Sequence, residues 1–325
     1  FLDYASYVIL ERAVPAIKDG LKPVQRRILH AMKEMDDGRF HKVANVIGNS
    51  MQYHPHGDAS IGNALIVLAN KEYFIEKQGN FGNVLTGDEP SASRYIEARI
   101  APLAKEILYN PELTTYEGSY DGRNKEPVTF PAKIPVALIH GAEGIAVGMS
   151  TRILPHNFIE VLEAEIAALK RKKFKLYPDF PGGGLVDVTD YEDGNGKVLV
   201  RAKLDTSDPK RIVIREIPFG STTESLIASI ENASRIHHLF PSRYSSSVNM
   251  LLINENRPLS TSVTKVIKYH SKQLQLILEK ELKNEQAHLR DKLHALTLEQ
   301  IFIEERIYKD IEEKKTAESV IQAVF

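Results

Sequence analysis

A chain of 325 residues, 42% hydrophobic and 26% charged, can bury at least one sizeable core and has the length for two or three domains. It holds no cysteine, which removes disulfides, thiolate zinc sites and cysteine nucleophiles, so any chemistry must use other side chains. The formal net charge is only -1, so contact with a polyanion has to come from a local patch.

The opening Phe1-Leu2-Asp3-Tyr4 carries no initiator methionine, basic leader or small-residue cleavage site, and is expected to be a cut end rather than a secretory signal. Apolar runs such as Ile134 to Ile139 fall far short of the roughly 18 residues that span a bilayer, so no membrane span and a cytoplasmic location are expected. From Tyr4 to Ala69, Val8, Ile9, Ala13 and Ile17, and then Val24, Ile28, Leu29 and Met32, recur at helical spacing and predict a compact unit of short helices. Lys18 to Pro23 forms the turn between them, with Gly20 as helix stop and Pro23 in the first turn of the next helix, which gathers Lys22, Arg26 and Arg27. Gln78 to Gly87 is rich in Gly, Asn and Asp and predicts a loop, and Gly141, Gly144 and Gly148 punctuate an apolar stretch.

Near residue 155 a second domain is expected: Val198, Val200, Ala202 and Leu204 alternate, and Ile212 and Ile214 follow a Ser-Asp-Pro turn as in a β-hairpin. After Pro258, Val263, Val266, Ile267, His270, Leu274, Ile277, Leu278, Leu282, Leu289 and Leu293 keep helical spacing and predict one long helix of coiled-coil type. The fold class expected is α+β and mainly α, with boundaries near 155 and 259.

Three short constellations carry candidate chemistry. Arg94-Tyr95 places a guanidinium beside a phenol; about 0.1% of a free tyrosine is phenolate at neutral pH, and a neighbouring cation favours the anion and can grip a phosphate. Taken alone, the pair reads first as a core ring with a wet hydroxyl. Upstream, Tyr53-His54-Pro55-His56-Gly57-Asp58 sets two imidazoles in a turn, where they can reach one anion or one metal, or be ordinary surface histidines. Gln78-Gly79-Asn80-Phe81-Gly82 offers backbone N–H groups and an amide suited to phosphate, and equally common in any tight turn.

The strings RAVPAIKDGLKPVQRRIL, YHPHGD, QGNFG, SRYIEARI, KIPVALIHGAEGIAVGMSTRILPHN and YPDFPGGG, in this order and spacing, resemble the A subunits of bacterial gyrase and topoisomerase IV, the type IIA topoisomerases. The Asp-Tyr-Ala-Ser-Tyr opening, Gln25-Arg26-Arg27 and Ser119 to Pro127 are closer to topoisomerase IV than to gyrase. The resemblance implies a winged-helix breakage-reunion domain over 1–154, an α/β tower over 155–258, and a coiled-coil arm over 259–325 leading to a dimer gate. It implies that Tyr95 becomes linked to the 5′ phosphate of cleaved DNA, with Arg94 beside it. Arg12, Lys22, Arg26, Arg27, His54 and His56 fall where the family has phosphate and active-site contacts. Ile153, in Arg152-Ile153-Leu154-Pro155, is matched to the isoleucine that wedges between base pairs and bends the duplex. The partners implied are double-stranded DNA, a second copy of the chain and a B subunit that carries Mg2+ and ATP, with no metal held by this chain.

Gly194-Asn195-Gly196-Lys197-Val198 lacks the hydroxyl and the upstream glycine of a P-loop, and no Asp-X-Asp pair is present, in keeping with an ATPase and a magnesium site on the partner. Ala59 and Asn63 stand where the family commonly has the serine and acid that anchor quinolones through a water-metal bridge. The stretch from Arg235 to Val248 is shorter than the family's tower, and Phe325 precedes the returning coiled-coil helix, so a fragment is expected. Two rivals use the same residues: a DNA-bending protein without chemistry, and a metal-dependent hydrolase built on His54, His56 and Asp58.

Overall fold

The computed structural model describes residues 1–236, 244–306 and 309. The chain divides into two compact units, Phe1–Leu274 and Gln275–Phe325. In the first, α1 (Leu2–Val8) runs on into a π-helical turn, Ile9–Ala13, which stops where Val14 becomes extended. Gly20 then closes a turn at φ +65°; a Cβ there would lie 2.2 Å from the Ala137 nitrogen, so only glycine fits. Pro23 begins α2 (Pro23–Glu34), and the Lys22 N–H donates to Gln25 Oε1 at 3.0 Å, closing the expected helix start.

Apolar residues at helical spacing bring Ile28, Leu29 and Met32 of α2 into one core with Val46 and Ile47 of α3 (Val43–Ser50) and Ile61, Leu65 and Leu68 of α4 (Asp58–Ala69). A short antiparallel sheet of β1 (His41–Lys42), β2 (Ile75–Gln78) and β3 (Glu97–Ile100), in the order β1-β3-β2, completes this group. The segment after it supplies α5 (Pro102–Ile107), the hairpin of β4 (Thr115–Gly118) and β5 (Lys125–Thr129), and buried α6 (Val136–His140). It closes on a second hairpin, β6 (Ala142–Ile145) with β7 (Ser150–Ile153). Gly144 is obligatory there: its missing Cβ would fall 2.0 Å from the Ala13 carbonyl oxygen, which is how closely the hairpin lies on the π-helical turn.

Asn157 caps α7 (Phe158–Leu169), accepting from the Ile159 and Glu160 N–H groups. Beyond it come β8 (Leu185–Asp187), β9 (Lys197–Arg201), β10 (Lys203–Asp205), β11 (Val213–Glu216), α8 (Thr223–Ile236), β12 (Tyr244–Ser247), β13 (Leu251–Asn254) and β14 (Arg257–Ser260). The alternating segment splits at Ala202. Val198 and Val200 are buried in the β12-β9-β8 sheet, while Leu204 lies on β10, which leaves that sheet to form the expected hairpin with β11. One apolar core continues from Ile17 to Ile267.

The long helix is present as α9, Val263–Glu304, whose 42 residues extend about 63 Å. Its first turns bury Val263, Val266 and Ile267, whereas Leu278, Leu282, Leu289 and Leu293 of the second unit are exposed. Part of the stretch from Arg235 to Val248 and nearly all of 307–325 lie outside the described residues. Among the described residues no helix is long and apolar enough to cross a membrane.

Candidate active site

Tyr95 stands at the end of a loop that is fixed on both sides. Ser91 N–H donates to the Asn80 carbonyl at 3.0 Å, Ala44 N–H to Ser93 at 3.1 Å, and Val43 N–H to Ile96 at 3.0 Å, tying the loop to the start of α3. Ile96 is buried and β3 follows at Glu97, so the chain between these anchors turns outward. Tyr95 is 64% exposed, and the Arg94 guanidinium lies over its ring at 4.5 Å. Among the described residues no hydrogen bond engages the Tyr95 hydroxyl.

The Gln78 to Gly82 loop supports this arrangement. Gln78 pairs across the sheet with Glu97, two residues from Tyr95, and is exposed. Asn80 uses its Oδ1 to accept the Gly82 N–H at 2.8 Å, so its amide oxygen shapes the turn. Gly82 sits at φ +77°, where a Cβ would come within 2.6 Å of the Asp88 carbonyl oxygen.

A second group gathers around the start of α2 and the Tyr53 to Asp58 turn. Arg27 pairs with Glu126 through Nε and, at 3.1 Å, through Nη2, and its Nη1 meets His54 Nδ1 at 3.3 Å. Because a guanidinium only donates, Nδ1 accepts, and the proton of the neutral ring sits on Nε2. Burial, then the nearby charges of Arg27, His56 and Arg12, hold the His54 pKa down at about 4. The His54 and His56 ring centroids are 4.8 Å apart, and His56 Nε2 lies 2.9 Å from the Tyr7 hydroxyl. Lys22 Nζ donates to the Glu143 carbonyl at 2.6 Å; burial lowers its pKa, with the Glu143 charge opposing.

Of the basic residues expected at phosphate, Arg12 is exposed and His56 half-buried, so both face accessible space. Arg26 differs. It is buried against Asp19, at 2.6 Å and 3.0 Å, and donates to the Leu21 carbonyl, so its guanidinium is spent inside the fold. Arg27 and His54 are likewise committed to Glu126 and to each other. Ala59 and Asn63 lie exposed on α4.

The assignment of the wedge to Ile153 requires correction. Ile153 is 5% exposed at the base of the β6–β7 hairpin, paired with Ala142 and packed in the core, and it cannot insert into a duplex without dismantling that base. Ile145, paired with Ser150 at the other end of the same hairpin, is 82% exposed. Ile145 stands in the Gly144-Ile145-Ala146-Val147-Gly148 string, where two glycines flank three apolar residues at a hairpin tip. The hydrolase rival lacks its donor set: among the described residues no group of three or more His, Asp or Glu converges to hold a metal, and Asp58 Oδ1 accepts the Ala59 N–H.

Residues 12–240 match the family model for the A subunit of DNA gyrase/topoisomerase IV. The chain belongs to that family. It is 53% identical, over 93% of its own length, to the DNA topoisomerase 4 A subunit of Borreliella burgdorferi. Against the DNA gyrase A subunit of Thermotoga maritima the identity is 40% over 75% of the chain, and against the DNA topoisomerase 4 A subunit of Streptococcus pyogenes serotype M6 it is 38% over 73%. The chain spans 54% of the Borreliella protein, 33% of the Thermotoga protein and 32% of the Streptococcus protein. The A-subunit family thus joins both enzyme types among these relatives.

Proposed function

We propose that this chain is the DNA-cleaving and rejoining core of a type IIA topoisomerase, of the topoisomerase IV kind rather than a gyrase, with Tyr95 as nucleophile. The observation that carries the reading is an exposed phenol held under the Arg94 guanidinium on an anchored loop. In this reading 1–154 is the winged-helix breakage-reunion domain, 155–258 the tower and 259–325 the coiled-coil arm.

Tyr95 Oη attacks a backbone phosphorus, forming a 5′-phosphotyrosyl ester as the bond to the 3′ oxygen breaks. One phosphate ester replaces another, so the reverse attack by the 3′ hydroxyl reseals the strand and frees the phenol. The phenolic proton must leave during attack, and His56 is the imidazole suited to hold and return it. Cations aimed at the phosphate oxygens stabilise the charge that builds in the transition state, and one well-placed donor is commonly worth about 3 to 4 kcal/mol. Arg94, Arg12 and Lys22 are the candidates for that work. Among the described residues no hydrogen bond or ion pair joins Tyr95 to Arg12, Lys22 or His56. In this reading those residues come from the second copy of a homodimer, so that two sites cut opposite strands.

Ile145 at the hairpin tip is the residue suited to wedge a base step, at a cost of a few kcal/mol of unstacking that is offset by contact with bent DNA. Mg2+ and ATP are assigned to a B subunit, which with this chain forms an A2B2 heterotetramer; among the described residues no group of three or more His, Asp or Glu converges to hold a metal. Incubating the full-length protein with its B subunit, ATP and Mg2+ on linked circles and relaxed circles in parallel tests the assignment. Unlinking of the former without negative supercoiling of the latter is expected. An unchanged linking number in both would favour the DNA-bending rival.

A further inference from the structure

α7 ends in a run of cations that the site above does not use. Lys170-Arg171-Lys172-Lys173-Phe174-Lys175 holds five positive side chains and no acid, and all five are exposed. Among the described residues none of the five enters an ion pair. The next acid, Asp179, is occupied by the Asn157 side-chain amide and the Phe180 N–H. One or two cations would satisfy the negative end of the α7 dipole; five crowded together repel one another, with no acid among the described residues paired to them.

The backbone holds the run in place. Lys172 N–H reaches back to the Ala167 carbonyl at 2.8 Å, closing the helix with Arg171 at φ +55°, a position glycine fills most readily. Phe174 packs against the core, Leu176 is buried, and a bridge between His156 and Pro178 returns the chain to the start of α7. The positive side chains therefore project from an anchored turn rather than a loose tail.

We propose that this turn is a second phosphate-binding surface, gripping the backbone of duplex DNA that flanks the cleavage site; the inference rests on the cleavage function proposed above. Backbone phosphates are read by such cations without regard to sequence. α7, which leads to the turn, is 12 residues and about 18 Å long, a length that about five base pairs would span. A lipid surface is a poorer match, because the one apolar side chain of the run, Phe174, is turned into the core.

The test uses the full-length protein assembled with its B subunit, with Lys172→Gln, Lys173→Gln and Lys175→Gln combined. Binding is titrated against salt on duplexes of about 60 and about 20 base pairs centred on one cleavage site. On the long duplex the slope of log affinity against log salt should shrink by about 0.9 for each phosphate no longer gripped, while the short duplex is bound and cleaved as before. An unchanged slope on the long duplex overturns the proposal, as does an equal loss on both lengths, which would place the turn at the cleavage site itself. Lost binding to phosphatidylglycerol vesicles with an intact long-duplex slope would overturn it in favour of a membrane. If the unsubstituted protein cleaves neither duplex, the cleavage function fails, while the long-duplex slope still reports on the turn.

Discussion

Ile145 and Ile153 occupy opposite ends of one hairpin, the first against Ser150 in the open and the second against Ala142 in the core. Their substitutions should separate folding from DNA bending. Ile153→Ala removes buried methyl groups and is expected to cost about 2 to 5 kcal/mol in a denaturant titration. Ile145→Ala should leave that titration unchanged and reduce energy transfer between dyes at the ends of a bound duplex. Loss of bending with Ile153→Ala at full stability would return the wedge to Ile153.

The Arg26–Asp19 pair leads to a second prediction. Asp19 is fully buried and also accepts the Leu21 and Phe130 N–H groups, so it knits the Gly20 turn, α2 and the segment after β5. Arg26→Gln strands that carboxylate and should destabilise the fold by about 3 to 5 kcal/mol. Arg12→Gln, at an exposed position, should move the unfolding midpoint little. Comparable midpoints for the two variants would show that Arg26 is not structural.

Glu165 on α7 predicts a pH dependence. It is 3% exposed, its Oε1 has no hydrogen-bond partner among the described residues, and burial raises its pKa from 4.5 to about 8. Between those values the folded state holds a proton that the unfolded chain has lost, so this group makes stability fall as pH rises through the window. Glu165→Gln should be increasingly more stable than the parent from pH 4.5 to 8, by a few kcal/mol at most, with a constant gap above. Burial also holds His156 and His270 down at about 4, with the opposite sign: they contribute stability above 6.5 that is lost as pH falls toward 4. Thermal melting across pH, with and without the Glu165 substitution, checks both limbs. A gap that does not change with pH would contradict a buried, protonated Glu165.

A mixed dimer tests whether the site is shared between copies. One chain carries Tyr95→Phe and the other Arg12→Gln. If Tyr95 works with its partner's Arg12, one of the two sites is intact and the mixture nicks a single strand. If it works with its own, neither site is intact and nicking is absent.

Much of this organisation was legible in the residues themselves. The spacing of Ile28, Leu29 and Met32, the Gly20-Pro23 turn and the heptad-like run after Pro258 all mark elements that form, because each depends on local geometry and one apolar face. The fates of Arg26 and Ile153 were not legible. Whether a cation meets a phosphate or a buried carboxylate depends on Asp19, brought to it by the Gly20 turn, and spacing alone does not reveal that. The burial of Ile153 was hidden for a related reason: exposure along a hairpin depends on where the turn falls, and Ile145 and Ile153 are alike as side chains. The Lys170 to Lys175 run was plain in the sequence, but only exposure and the absence of acidic partners among the described residues distinguish it from an ordinary solvated face.

The Tyr95 oxygen is the proposed nucleophile, and trapping it on DNA tests that role. Full-length Tyr95→Phe protein and its parent, each with the B subunit, are incubated with end-labelled duplex and quenched in denaturant. The parent should retain label covalently through a 5′ phosphate, and the variant should bind the duplex with nearly the same affinity but retain none. Covalent label on the variant would contradict the assignment.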